Sequence, residues 1–594
     1  MFIRKKKTKT ADVLQLVQSY RNGEGQPRQR IVLSLGSIDI APAIWGQVAD
    51  ELENRMQGIK TLFDSPQEVR QWAEIILNRL EQENKLSCND QMPEKITVSP
   101  DNITTENHRE LGPCLVAKKA WDSLGLNEIL SGLGFSPSQC TDAAITVINR
   151  LCEAVSEYAL PGWINTTALG ELFGQSLDNL ESSRFYRISD KLGLSKNAIE
   201  EALARRECDI FNIKHTIFLY DLTNTYFEGS ALNNEIAQRG HSKEKRFDCP
   251  LVSCGMILNQ DGFIVKHQSF AGNIGEAKTL KEQIQSLEED YKGSLIVIDS
   301  GIASAENLQM IKDMGFDYIT VAKRPSRLAY EEQFADLDKF RKIQGREDKS
   351  DVLINAFEKD DEKLIACISS QREKKEKAIL SLAEERLLKD LQGLCGSIDK
   401  GTLKVQEKIN RRIGRLLERH SRVARYYEIA YNKDKNALEY SRKQEYEHAS
   451  MLCGGYVLRC SRKDMADADI WRIYIMLTKV ESGFRALKSD LGLRPIYHQK
   501  ASRTSDHIFI SILAYHLLHW IEYKLQTEGM NISWRALKRL LQTHGYATIL
   551  ADAEQGVCRI RKAGRAEPKQ QEIYEKLGIE LNSLPTIKSF TAKQ

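Results

Sequence analysis

The sequence predicts a multidomain α+β protein. Three observations carry that reading: the order of strand and helix patterns between 215 and 322, the helical block before it, and a charged helical segment that interrupts the pattern until it resumes at Asp467. At 594 residues the chain is long enough for several domains. Hydrophobic content of 41% and charged content of 28% are those of a soluble globular protein. Net charge is only +3, so positive clusters matter locally, as at Arg4-Lys5-Lys6-Lys7 and at Arg411, Arg412 and Arg415. The first of these reads equally as a solvated tail.

Residues 1–40 read as a basic β-hairpin, with strands at Val13–Tyr20 and Arg28–Leu35 around Arg21-Asn22-Gly23-Glu24-Gly25. Such a hairpin suits a phosphate backbone and a packing flap equally. Residues 41–106 read as a helical segment followed by a polar linker from 87. Residues 107–213 are dominated by amphipathic helices (115–124, 140–154, 194–211, with Ser195 as an N-cap) and form the expected DNA-binding domain. From 214 to 325 the order is β-β-β-α-β-α-β: strands at 215–227, 250–258 and 263–270, a helix at 276–291, a strand at 294–299, a helix at 303–314 and a strand at 317–322. Asp261-Gly262 marks a hairpin. Residues 326–465 read as an inserted α+β subdomain, helical over 373–422, with strands at 425–431, 437–446 and 454–460. Residues 466–530 hold one helix over Asp467–His498 and an apolar helix over 505–525. Residues 531–594 read as a helical tail.

The twelve cysteines are scattered. Cys249/Cys254 and Cys453/Cys460 lack zinc-site spacing and read as reduced thiols of a cytoplasmic protein. No stretch approaches about 18 uninterrupted apolar residues, and no signal peptide is visible, so no membrane association is expected.

Within Asp467–His498, Ile473, Met476, Val480, Phe484, Leu487 and Leu491 form an apolar stripe. Tyr474, Leu477, Glu481, Arg485 and Lys488 form a second stripe beside it, since successive residues lie about 100° apart. Alone, Glu481 reads as a surface ion pair. Asp221 lies mid-strand, where an uncompensated charge is costly. Asp299 ends another strand, where acids of parallel sheets face a ligand crevice. Alone these read as a strand-edge polar residue and a turn former. In a ribonuclease H-like (retroviral-integrase-like) arrangement, however, first and fourth strands are neighbours and a late helix packs beside them, so the three acids converge. Three close carboxylates require cations, and oxygen donors suit Mg²⁺, with Mn²⁺ as the alternative; two ions about 4 Å apart serve phosphodiester cleavage.

The chain resembles the DDE transposases of the IS4 group of insertion sequences, and within it the IS1634-like branch. The resemblance rests on Tyr220-Asp221-Leu222-Thr223 with Tyr226-Phe227-Glu228, on His241 to Asp248, and on Gly272-Asn273 to Thr279-Leu280. It continues with Val297-Ile298-Asp299-Ser300-Gly301, Val480 to Ser489 and Leu493 to His498. The opening segment, MFIRKKKTKT to QRIVLSLGSID, also looks like this branch.

The resemblance implies that Asp221, Asp299 and Glu481 are the catalytic metal ligands, held on a ribonuclease H-like core. It implies DNA contacts from Tyr474, Arg485 and Lys488. The group's signature has an arginine where this chain has Leu477, with Lys479 or Arg485 as candidates to supply that charge. It implies cleavage of insertion-sequence ends, strand transfer into target DNA and at least a dimer in the DNA complex. Gly272-Asn273 reads either as a close approach to DNA or as a tight turn. The rival readings are a nuclease on the same fold without strand transfer and a non-catalytic, transposase-derived DNA-binding protein.

Overall fold

The computed structural model describes residues 1–7, 12–21, 27–36, 40–56, 65–82, 96–177, 180–213, 215–242, 246–287, 291–323, 327, 329–343 and 352–592. The chain divides into two units. One contains 213–224 and 238–483; the other contains 1–212, 225–237 and 484–594.

A nine-stranded sheet organises the first of these. Its strands, in chain order, are β1 (Ile217–Tyr226), β2 (Leu251–Asn259), β3 (Ile264–Ala271), β4 (Leu295–Ile298), β5 (Asp317–Val321), β6 (Arg341–Ile343), β7 (Val352–Lys359), β8 (Glu362–Ser369) and β9 (Gly455–Cys460). The spatial order is β6-β7-β8-β9-β5-β4-β1-β2-β3. β1 and β5 both pair with β4 in parallel, while β2 and β3 form an antiparallel hairpin. Every residue of β2 and β4 is buried. Such continuous burial explains the unbroken Leu-Ile-Val-Ile run of β4. The β2–β3 turn is closed by the Asn259 side chain, which accepts from the Asp261 and Phe263 amides at 3.0 Å, with Gly262 at φ +96°. Helices α1 (Glu276–Gln285) and α2 (Ala305–Asp313) connect β3 to β4 and β4 to β5.

The segment 326–465 differs from its expected form. Its strands β7, β8 and β9 extend the main sheet, with β9 antiparallel to β5. Arg459 of β9 donates two bonds of 2.7 Å to the Glu362 carboxylate of β8. The β7–β8 hairpin escaped the sequence because Asp360 and Asp361, not glycine or asparagine, take the two positive-φ turn positions. What stands out from the sheet is a helical hairpin, α3 (Ser370–Asp399) and α4 (Gln406–Arg419), with the short strand pair Tyr427–Asn432 and Ala437–Arg442. It has its own core of Leu387, Leu391, Leu394, Ile409, Ile413 and Leu416. The expected strand over 437–446 stops at Arg442, and Glu445–Met451 is helical.

The single helix expected over Asp467–His498 is two helices, α5 (Asp467–Ile475) and α6 (Leu477–Ser489). At Met476 the ladder tightens to i→i+3 bonds, and the Thr478 hydroxyl donates to the freed Ile475 carbonyl at 2.8 Å. Beyond Ser489 the Asp490 and Leu491 amides fold back on the Ala486 carbonyl, and Gly492 at φ +63° ends the helix. The apolar stripe is buried from Val480 onward: Val480, Phe484, Leu487 and Leu491.

In the other unit, three antiparallel strands (Phe2–Lys7, Asp12–Arg21, Pro27–Gly36) pack with helices Trp45–Met56 and Gln67–Gln82 around Ile3, Leu14, Leu16, Leu33, Val48 and Ile76. The basic run at Arg4–Lys7 is therefore a strand rather than a tail, and the expected hairpin has a third strand. Its turn at 22–26 lies outside the described residues. Residues 87–95 of the expected linker also lie outside them, but Ile103–Glu110 forms a strand paired with Gly545–Ala553. Gly545–Ala553, Gly556–Ala563 and Ile587–Ala592 complete a four-stranded sheet, so 531–594 is not wholly helical. Hydrogen bonding to a strand more than 400 residues earlier fixes these segments, which no local pattern reports. Helices Gly112–Ser123, Pro137–Glu153 and Lys196–Phe211 match expectation, although Ser195 makes no side-chain cap. The helix Ala501–Thr527 is buried along most of its length. Among the described residues no helix is long and apolar enough to cross a membrane.

Asp506, on that buried helix, occupies space that only a glycine at 193 leaves open, because a Cβ there would meet Asp506 Oδ1 at 1.7 Å. Burial, then the charge of Asp190, raises the Asp506 carboxyl to about 7 against the pull of Arg503. A raised folded-state carboxyl binds a proton that the unfolded chain has released, so stability falls as pH rises from about 4 to 7. Asp506→Asn is expected to raise the unfolding temperature more at pH 8 than at pH 5. A shift that is equal at both pH values would contradict this environment.

Candidate active site

Tyr220, fully buried in β1, donates from its hydroxyl to Thr279 Oγ1 at 2.7 Å and covers Gly255 of β2, where a Cβ would lie 2.9 Å from that hydroxyl. Strand alternation turns the next residue, Asp221, to the opposite face. The β1–β4 register is Ile217↔Leu295 to Tyr220↔Ile298. One step beyond the last pair stand Asp221 and Asp299, on strands about 4.8 Å apart. Asp221 is half-buried and Asp299 exposed. The Ile302 and Ala303 amides donate to the Asp299 backbone carbonyl at 3.1 and 3.2 Å, closing the turn that presents its side chain. Gly301 keeps that turn bare on one side, because a Cβ would meet Glu276 Oε2 at 2.7 Å.

Helix α5 is fastened to β9 by Trp471, whose indole donates to the Tyr456 hydroxyl at 2.8 Å. Tyr474, at the end of α5, has its phenol pushed well above its ordinary value by burial first and then by the Asp299 carboxylate. Glu481 adds to that shift and Arg372 opposes it. The Tyr474 hydroxyl therefore stands within electrostatic reach of Asp299, Glu481 and Arg372. Glu481 itself is exposed on α6. Among the described residues no cation pairs with the Asp299 or Glu481 side chain, so the ion pair with Arg485 that the helix alone suggests does not form. Arg485 is exposed and Lys488 half-buried, one and two turns further along α6.

A model of the transposase DDE domain matches residues 213–517, just over half the chain, and a model of the IS1634 family transposase N-terminal domain matches residues 3–63. The chain belongs to the DDE transposases of the IS1634 family. No curated protein matches it. The matched DDE segment contains all three acids. A DDE transposase has a ribonuclease H-like core, and the strand order β3-β2-β1-β4-β5 within the mixed sheet accords with one.

Two residues near Tyr474 and the Asp299 turn escaped sequence reasoning. Arg372 comes from the start of α3, more than a hundred residues before Glu481, in a charged run (REKKEK) where nothing distinguishes it. Its guanidinium lies 5.1 Å from the Tyr456 ring centroid. Glu276 opens α1 just after the Gly272-Asn273 turn, and only the fold places its carboxylate over Gly301. Of the two candidates to replace the arginine missing at Leu477, Lys479 donates to the Gln260 carbonyl in the β2–β3 turn and so has a structural partner. Gly272 resolves as a tight backbone crossing: a Cβ there would lie 2.1 Å from the Leu251 carbonyl oxygen.

Glu157, His498 and His507 form a separate group with ligand atoms within 4.8 Å of one another. Its chemistry does not fit a metal. Arg150 donates to His507 Nδ1 at 3.1 Å and to Glu157 at 3.4 Å, occupying the position an ion would need. Burial, then the Arg150 charge, pushes the His507 imidazole well below its ordinary value, so it is neutral. Arg150→Ala leaves a buried carboxylate unpaired and is expected to cost roughly 3–5 kcal/mol, read by denaturant unfolding. His498→Ala is expected to leave the zinc content of protein dialysed against Zn²⁺ unchanged; loss of a bound equivalent would make the group a metal site.

Proposed function

We propose that this transposase cuts the ends of its insertion sequence and joins them to target DNA, with Asp221, Asp299 and Glu481 as its catalytic and metal-binding acids. The register of β1 and β4 supports this reading, because Asp221 and Asp299 each follow the last residue paired between these parallel strands. The shared influence of Asp299 and Glu481 on Tyr474 supports the third member. The finer arrangement proposed is a ribonuclease H-like core of 214–325 and 466–530, interrupted by 326–465.

DDE transposases use divalent metals. The donor set fits Mg²⁺ or Mn²⁺: it offers carboxylate oxygens with neither thiolate nor imidazole, and two of its three acids are open to solvent. Two ions held by these acids supply charge neutralisation at the scissile phosphate and an activated oxygen nucleophile. Burial keeps Tyr474 a neutral phenol, able to donate a hydrogen bond to a phosphate oxygen. Arg372 contributes positive charge beside it. Arg485 and Lys488 are proposed as contacts to the DNA strand. Hydrolysis of one phosphodiester frees a 3′-hydroxyl, and that hydroxyl displaces a 3′-oxygen from a target phosphodiester, so the second step conserves the number of phosphodiesters. Recognition of the ends is assigned to the 107–213 helices and the basic N-terminal strands. Joining two ends calls for at least a dimer on DNA.

The test incubates the protein with end DNA, a target plasmid and Mg²⁺. Cleaved ends and joined products are expected, and Asp299→Asn and Glu481→Gln are expected to reduce both to background while leaving the unfolding temperature close to that of the parent. Cleavage with no joined product would make the chain a nuclease. Undiminished cleavage in either variant would remove that residue from the site.

A further inference from the structure

The α3–α4 hairpin carries charge out of proportion to the chain. Between 370 and 425 there are fifteen Lys and Arg against eight Asp and Glu, a surplus of seven, whereas the whole chain has a surplus of three. The remainder is therefore net acidic by four. The positive charge is ordered as well as concentrated. On α4, Ile409, Ile413 and Leu416 face the hairpin core, while Lys408, Arg411, Arg412, Arg415 and Arg419 share one exposed flank of the helix. Glu407 and Glu418 lie at the edge of this stripe. Arg419 pairs with Asp390 at 3.4 Å. Among the described residues Lys408, Arg411, Arg412 and Arg415 have no carboxylate partner. Four unpaired, like-charged side chains on one helix face repel one another, and this destabilises the isolated helix.

From these observations we infer that the exposed face of α4 is a docking surface for the phosphate backbone of duplex DNA, separate from the three acids. Lys408 to Arg419 spans about 16 Å at 1.5 Å per residue, which matches about five phosphates along one strand at 3.4 Å each. The contact proposed is with phosphate oxygens, which carry no sequence information. α3 starts near Arg372, which acts on Tyr474 as Asp299 and Glu481 do, and α4 packs against its distal half, Leu387 to Ile398. The stripe therefore stands roughly 20–40 Å along the helix from the acids. That corresponds to about 6–12 base pairs of duplex beyond the cut. An anionic membrane is the less suitable partner, because Val405 and Leu417 are the exposed apolar side chains at this helix and no aromatic accompanies them for insertion.

The inference rests on the reading of the chain as a DNA transposase, and the experiment separates the two. Binding of the full-length protein to a long random-sequence duplex is followed by fluorescence anisotropy from about 50 to 200 mM salt. The Lys408→Gln, Arg411→Gln, Arg412→Gln, Arg415→Gln variant is expected to bind more weakly, with a log–log salt slope smaller by roughly 3–4, since each phosphate contact contributes about 0.9. The charge-preserving Arg411→Lys, Arg412→Lys, Arg415→Lys variant is expected to keep the parental slope, and metal-dependent cleavage of a short end duplex is expected to persist in both. A parental slope in the Gln variant overturns the inference and leaves the transposase reading standing. So does equal loss in the Lys variant, or recruitment to phosphatidylserine vesicles with DNA binding unchanged. Absence of duplex binding by the parent protein overturns both.

Discussion

Parallel pairing between β1 and β4 is the constraint on which the arrangement of acids depends. Strands run side by side in parallel only when a crossover joins them, and here β2, β3 and α1 supply it. Once Tyr220 faces Ile298, the next residue of each strand is an aspartate at the open end of the sheet. A slip of one residue would turn Asp221 into the buried face and put Tyr220 where the acid stands. The register is defended from both sides: the Tyr220 hydroxyl is bonded to Thr279, and the bare Cα of Gly255 makes room for its ring.

The rest of that unit serves to bring a helix to those strand ends. β9 lies between β5 and β8, locked by Arg459 and Glu362, and Tyr456 of β9 receives the Trp471 indole of α5. Tyr474 then lies where Asp299, Glu481 and Arg372 all act on it. An enzyme that handles a polyanion with a cluster of carboxylates faces opposing electrostatic demands. The acids, as proposed, would attract cations at the point of chemistry, while the DNA must be held by positive charge elsewhere. Separating a basic α4 face from the acids, on a hairpin with its own core, meets both demands.

Much of this was legible in the sequence. The order of strands and helices from 215 to 322 follows from local apolar runs and turn residues, because each of those elements is buried by its immediate neighbours. The three proposed acids were singled out by their places on those elements. What was missed depends on distant partners or on exceptions to turn chemistry. Asp360-Asp361 makes a hairpin without a glycine, and the strands of 545–592 are completed by Ile103–Glu110. The end of α6 was missed although Gly492 and Pro495 mark it, because the apolar period ran on through Leu491. Arg372 carried no signal at all: its proximity to Tyr474 is a product of the sheet extension and not of its own surroundings in the chain.

The central claim is that divalent ions are held by Asp221, Asp299 and Glu481. Its most direct test is to replace Mg²⁺ with Fe²⁺ in the intact protein, add ascorbate and peroxide, and map the backbone cuts made by hydroxyl radicals released at the bound iron. The account predicts cuts close to residues 221, 299 and 481, suppressed together by excess Mg²⁺. Cuts clustered instead around residues 157, 498 and 507, or spread evenly along the chain, would contradict it.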